Sequence, residues 1–123
     1  MREIKFEYIF KNKYYDKFHK VIYTLKHLEN FEMDIVLLEN NCEIIARRQS
    51  TGLLDKNGKE IYENDIIKYG KKTLGVVLWS EGGGYWRSQT PKVTKRLGNI
   101  HFNCEVIGNV YQDSHLLQQP KGE

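Results

Sequence analysis

Cysteine is scarce in this chain: Cys42 and Cys104 stand alone, with no Cys-x-x-Cys pair. That spacing excludes the common zinc frameworks and the dithiol redox motif. Catalytic signatures are missing too. His19, His27, His101 and His115 are scattered, with no His-Glu-x-x-His pattern, nucleophile elbow, P-loop or dinucleotide fingerprint. "GGGYW" at 82–86 lacks the Lys-Ser/Thr that gives a phosphate cradle its chemistry. The expectations are therefore no enzymatic activity, no metal and no cofactor. No apolar run is long enough to span a membrane, and Met1–Phe10 contains no signal-peptide core. A cytoplasmic, reducing location and free thiols are expected.

A large excess of either charge is also lacking. The net charge is +3, too small to indicate nucleic-acid binding by itself. Its distribution is uneven. Residues 1–28 carry Arg2, Lys5, Lys11, Lys13, Lys17, Lys20 and Lys26 against three acids, whereas residues 29–43 carry five acids and no base. Such asymmetry suits either complementary packing within one chain or self-association.

What the sequence has is sheet. Of its 123 residues 40% are hydrophobic, and eight Tyr, five Phe and two Trp favour strands. Ile4, Phe6, Tyr8 and Phe10 alternate with polar residues, a strand period. Residues 17–28 fit a helix through Val21, Leu25 and Leu28, but Val21–Leu25 is better read as strand. "DIVLLEN" (34–40) reads as a buried strand, "NN" as a turn and "CEIIARRQS" (42–50) as its hairpin partner.

The stretch "DKNGKEIYENDIIKYG" (55–70) combines two turns and two strands. Asn57-Gly58 is a strong turn signal, Asp55 can accept backbone hydrogen bonds ahead of it, and Asn64 suits a left-handed position before Asp65. "IIKYG", "TLGVVLW" and "YWRS" follow as strands, with "SEGGG" as a hairpin loop. "QTPKVTKRLGN" (89–99) reads as a basic loop. "IHFNCEVIGNVY" (100–111) reads as the last strand, with a bulge near Gly108, and "DSHLL" as one helical turn. Short strands at this spacing suggest a small, strongly bent barrel.

The motifs "TGLLDKNGKEIYENDIIKYG", "GVVLW" and "EVIGNVYQDSHLL" resemble the YopX family of small phage and prophage proteins. The matching residues are Thr51, Gly52, Leu53, Asp55, Lys56, Asn57, Gly58, Ile61, Tyr62, Glu63, Asp65 and Ile66, then Glu105 to Asn109, Tyr111, Leu116 and Leu117. Asn64 replaces the usual Gly of the second turn, and Ser50 stands where an aromatic is frequent. The resemblance implies an α+β, mostly β fold: an N-terminal α+β lobe over 1–50, a small SH3-like barrel over 51–117 and a disordered tail over 118–123, forming one compact unit. It implies phage or prophage origin and no catalytic residue. Asp55, Asn57, Gly58, Asn64 and Asp65 are expected to be structural turn residues.

Two binding functions fit the residues. The first is a non-enzymatic accessory role, through a host or phage protein or through a homo-oligomer, with Tyr14, Tyr15 and Phe18 as contacts and Trp86 as a further aromatic. The second is single-stranded nucleic-acid binding on a basic, aromatic barrel face formed by Lys71, Lys72, Tyr85, Trp86, Arg87, Lys92, Lys95 and Arg96. From Gly70 to Asn99 there are six bases and one acid, Glu81.

Overall fold

The computed structural model describes residues 4–29 and 40–117. The chain divides into two compact units, Met1–Ser50 and Thr51–Glu123. The expected strand over 34–39 and the tail over 118–123 lie outside the described residues.

The first unit is built on β1 (Lys5–Asn12), β2 (Phe18–Thr24) and the start of β3 (Cys42–Leu54), antiparallel in the order β2-β1-β3. Alternation assigns the faces. Tyr8, Phe10, Tyr23 and Cys42 form a buried cluster, with Phe6, Val21 and Ile44 packed on it. Tyr8 and Tyr23 meet edge to face, their centroids 5.1 Å apart, a favourable aromatic geometry. On the opposite face Glu7 sits directly across from Arg48. Arg48 Nε donates to Glu7 Oε1 at 3.1 Å, and its terminal nitrogen closes an ion pair on the same oxygen. Both side chains are buried.

Between 17 and 28 the strand reading holds for Val21–Thr24 but not for Leu25, and the helix reading holds only for its last turn. Strand β2 ends at Thr24 and α1 (Leu25–Glu29) follows. Thr24 Oγ1 accepts the His27 N–H at 3.2 Å, the arrangement of a helix cap, and His27 Nδ1 accepts the Thr24 N–H at 3.1 Å.

The second unit contains the end of β3, β4 (Glu60–Tyr62), β5 (Asp65–Tyr69), β6 (Thr73–Ser80), β7 (Tyr85–Gln89), β8 (Thr94–Arg96), α2 (Leu97–Ile100) and β9 (Glu105–Asn109). Strand β4 lies beside β3, where Thr51 Oγ1 donates to Ile61 O at 2.8 Å. The other five strands form an antiparallel sheet in the order β8-β7-β6-β5-β9. Ile61, Ile67, Val77, Leu97 and Cys104 are its fully buried core.

Three expectations are corrected here. The sheet is open, with β8 and β9 at its edges, so no closed SH3-like barrel forms among the described residues. The region 97–103 is neither loop nor strand: α2 is followed by a 3₁₀ turn at His101–Asn103, and β9 is only five residues long. A helical turn brings positions three apart to one side, so Leu97 and Ile100 both reach the core; a strand would divide them between faces. The "SEGGG" loop is as expected, but the strand after Gln89 resumes as the exposed three-residue β8.

Within the sheet β6 and β7 approach closely at one point. A Cβ on Gly75 would stand 2.0 Å from Ser88 Oγ. That hydroxyl is fully buried and has no hydrogen-bond partner among the described residues. The bare α-carbon of Gly75 is what makes room for it.

Candidate functional site

The recognisable turn residues face inward, onto backbone. Asp55 Oδ1 accepts the N–H of Asn57 at 2.8 Å and of Lys59 at 2.9 Å, while Oδ2 accepts the N–H of Val106 at 2.9 Å. Lys56 N donates to Cys104 O at 2.9 Å, and His101 Nδ1 lies 2.7 Å from Leu54 O. The turn thus clasps the segment that leads into β9. Burial alone would raise the Asp55 pKa, but the three backbone donors Val106, Lys59 and Asn57 outweigh it and hold the carboxyl below its ordinary 3.8. Burial, with the Asp55 charge adding to it, pushes the Cys104 thiol up to about 11. Such a thiol stays protonated and is a poor nucleophile.

The second turn works in the same way. Asn64 adopts φ 65°, its N–H donates to Val77 O at 2.7 Å and its Nδ2 to the Tyr111 hydroxyl at 2.8 Å. Asp65 Oδ2 accepts the Tyr62 N–H at 2.7 Å. Gly58 has φ 79°, whereas Asn57 is not in the left-handed region. Downstream, Asn109 Oδ1 accepts the N–H groups of Tyr111 and Gln112, and Asp113 Oδ2 accepts that of Asn109. The carboxylate of Asp113 therefore holds the end of β9, leaving only its carbonyl to the turn at Ser114–Leu117.

The eight basic and aromatic candidates are divided by the sheet. Register places Tyr85, Arg87 and Arg96 on the face shared with Leu74, Val76 and Leu78, away from the core. Trp86 and Lys95 take the other face. Trp86 packs on the core cluster with Trp79 edge-on at 5.1 Å, and Lys95 Nζ lies 5.8 Å from the Tyr69 ring centroid. Trp79 itself is 42% exposed. Lys71 is exposed in the turn between β5 and β6.

On the face away from the core, Leu74, Val76 and Leu78 floor an open groove of about 980 Å³. Its walls are the 90–93 loop, with Pro91 and Val93, and Leu117. Lys72 and Lys92 stand in the lining, which contains no acidic residue among the described residues. The loop wall is ordered: Thr90 Oγ1 accepts the N–H of Val93 at 2.9 Å and of Lys92 at 3.3 Å. Beside the groove Arg96 stacks on the Tyr85 ring at 4.2 Å, and Arg87 donates to Trp79 O at 2.9 Å. The groove presents apolar surface, amines and guanidinium groups, with no nucleophile paired to a base. No cluster of three or more His, Cys, Asp or Glu suited to a metal occurs among the described residues. No helix among them is long and apolar enough to cross a membrane.

Sequence reasoning missed this groove. The alternate residues 74, 76 and 78 were legible as apolar, and a strand apolar on both sides needs cover on both. What was not legible was that no second layer covers them among the described residues.

In the first unit Tyr14 and Tyr15 project from the β1–β2 connection, 73% and 72% exposed, and Phe18 is half-buried beneath the Lys11 ammonium.

No match is found among curated proteins. Among solved structures, the crystal structure of protein EF1440 from Enterococcus faecalis is similar at 24% identity and a TM-score of 0.49, over 89% of this chain and 74% of that one. The YopX protein family matches residues 4–118, nearly the whole length. On that match, the chain belongs to the YopX family.

Proposed function

We propose that the protein acts by binding, without catalysis, and that the groove on β6 takes a segment of a protein partner that is apolar at its centre and acidic at its flanks. The observation that carries this reading is the groove itself: an apolar floor and, among the described residues, two lysines in the lining and no acid. Its volume lies at the upper end of the usual range for ligand sites, roughly 300–1,000 Å³. Alternate side chains of an extended segment could enter it while carboxylates meet Lys72 and Lys92.

The nucleic-acid reading of the same face has less support. Trp86 is turned to the core, and one face of Tyr85 is already covered by Arg96. Stacking needs free ring faces.

This reading makes the chain an accessory protein of a phage or prophage, working in the cytoplasm of a bacterial host with a host or phage protein. It uses no cofactor. Self-association into a homo-oligomer is compatible with it.

The test is selection of short peptides from a random display library on the immobilised protein. Enriched peptides should carry apolar residues flanked by Asp or Glu. Leu78→Asp should abolish their binding, and Lys72→Glu with Lys92→Glu should weaken it about tenfold or more, as expected when charge complementarity is reversed. Enrichment without acidic residues, or binding that survives Leu78→Asp, would sink the reading.

A further inference from the structure

The first unit carries a feature that the groove does not explain. Tyr14 and Tyr15 are the two most exposed large hydrophobic side chains among the described residues. Single exposed apolar residues are ordinary. Two adjacent rings at one tip are less so, and this tip is rigidly built.

Asn12 holds it. Its Oδ1 accepts the N–H of Tyr14 at 2.9 Å and of Tyr15 at 3.1 Å, and its Nδ2 donates to Asn40 O at 3.2 Å. The Asn12 N–H donates to Lys17 O at 3.0 Å, Lys17 N to Tyr15 O at 2.8 Å, and Lys13 N to Asn41 O at 2.8 Å. The backbone that bears both rings is thereby fixed before any ligand arrives, which lowers the ordering cost of binding. Neither ring makes a ring–ring or cation contact among the described residues.

The connection itself is rich in lysine, while Glu43 of the neighbouring β3 pairs across from Lys11. Between Lys11 and Lys20 there are four lysines and one acid, Asp16. Lys13, Lys17 and Lys20 are exposed.

From these observations we infer that the β1–β2 tip binds single-stranded nucleic acid, with bases stacking on Tyr14 and Tyr15 and phosphates drawn to Lys13 and Lys17. The partner is chosen by what a tip can do. A tyrosine that anchors a protein interface needs surrounding surface to exclude water from it. A two-residue projection offers none. Stacking requires only the face of the ring, and every base has a face to offer. A duplex keeps those faces covered by its own stacking, so the single strand is the fitting form. The tip belongs to the first unit and the groove to the second, and this inference does not rest on the groove reading.

The experiment is fluorescence anisotropy with a labelled dT15 strand and with a duplex of the same length, titrated with the full chain over a series of salt concentrations. Binding to dT15 should be stronger than to duplex. Tyr14→Ala with Tyr15→Ala should weaken it about tenfold or more, the loss expected from stacked bases. Tyr14→Phe with Tyr15→Phe should retain it, and Tyr14→Leu with Tyr15→Leu should not. Lys13→Gln with Lys17→Gln should flatten the plot of log affinity against log salt by about 1.4, two phosphate contacts on a single strand. These side chains are exposed, so thermal melting should show every variant folded. The proposal is overturned by any of four results. These are no binding at low salt, binding unchanged in the double alanine variant, duplex bound as tightly as dT15, and poly-glutamate of equal charge competing as well as dT15.

Discussion

The two units of the chain differ in their main fastening, although Asn12 and Thr24 of the first also catch backbone N–H groups. In the first, side chain meets side chain across the sheet: Glu7 and Arg48, 41 residues apart, form a buried ion pair, and Tyr8 stacks edge-on against Tyr23. In the second, short polar side chains catch backbone N–H groups. Asp55, Asp65, Asn109 and Asp113 do so, each mostly within a few residues of its own position. The first device needs two distant residues to be right together. The second needs one residue in a turn, and can be repeated along the chain. A buried pair also removes two charges from water, so losing one partner is costlier than losing a single neutral contact.

Breaking each device tests the contrast. The largest effect belongs to Glu7→Ala, which breaks the buried pair; urea denaturation should show a loss of about 3 kcal/mol, the low end for breaking such a pair, because Arg48 keeps other contacts. Glu7→Leu with Arg48→Leu should recover part of that, because both charges are then gone from the buried site. A loss below about 1 kcal/mol for Glu7→Ala would place the pair among surface-like ion pairs and undo the distinction.

Next comes Asp55→Ala. It removes the acceptor of three part-buried backbone N–H groups, two of them on the exposed residues Asn57 and Lys59 where water can replace it, so about 2 kcal/mol should be lost at neutral pH. The effect should depend on pH. The folded pKa of Asp55 lies below its unfolded value of 3.8, so its contribution is complete above that value and fades as pH falls through the folded pKa. Wild type and variant should therefore converge in stability below about pH 4. A constant gap down to pH 2 would show that the carboxylate's ionisation is not what the three donors stabilise.

The smallest effect is at Gly58. No atom lies within 4 Å of where its Cβ would be, so only its φ of 79° resists substitution. Gly58→Val should cost about 1–3 kcal/mol in thermal denaturation, and Gly58→Asn less than about 1. Equal costs for the two would mean that crowding, not backbone conformation, sets the requirement.

The same contrast explains how much could be read in advance. Asp55, Gly58, Asn64 and Asp65 were legible as turn residues because a turn's chemistry is complete within four or five positions. Glu7 opposite Arg48 was not, since register across 41 residues leaves no local trace. Nothing beside Asn12 in the sequence marks it as the residue that organises the tip, since its partner Asn40 lies 28 residues on. Leu97 fell in a polar, basic loop and Ile100 in the strand read after it, because two apolar residues three apart are too few to declare a helix. For the candidate site, composition grouped the basic and aromatic residues between 70 and 99, but the side of the sheet to which each turns was hidden. Consecutive strand residues face opposite ways, so Trp86 and Arg87, neighbours in the chain, ended on different faces.

The close approach of Gly75 to Ser88 has a consequence for descent. A methyl group at 75 collides with the hydroxyl at 88, yet that hydroxyl gains no bond in return. Either position alone is therefore asymmetric in what it tolerates: 88 can lose its oxygen freely, while 75 can gain a carbon only after 88 has done so. In lineages of this fold the order of replacement should run one way, with alanine or glycine arriving at 88 before anything larger than glycine settles at 75.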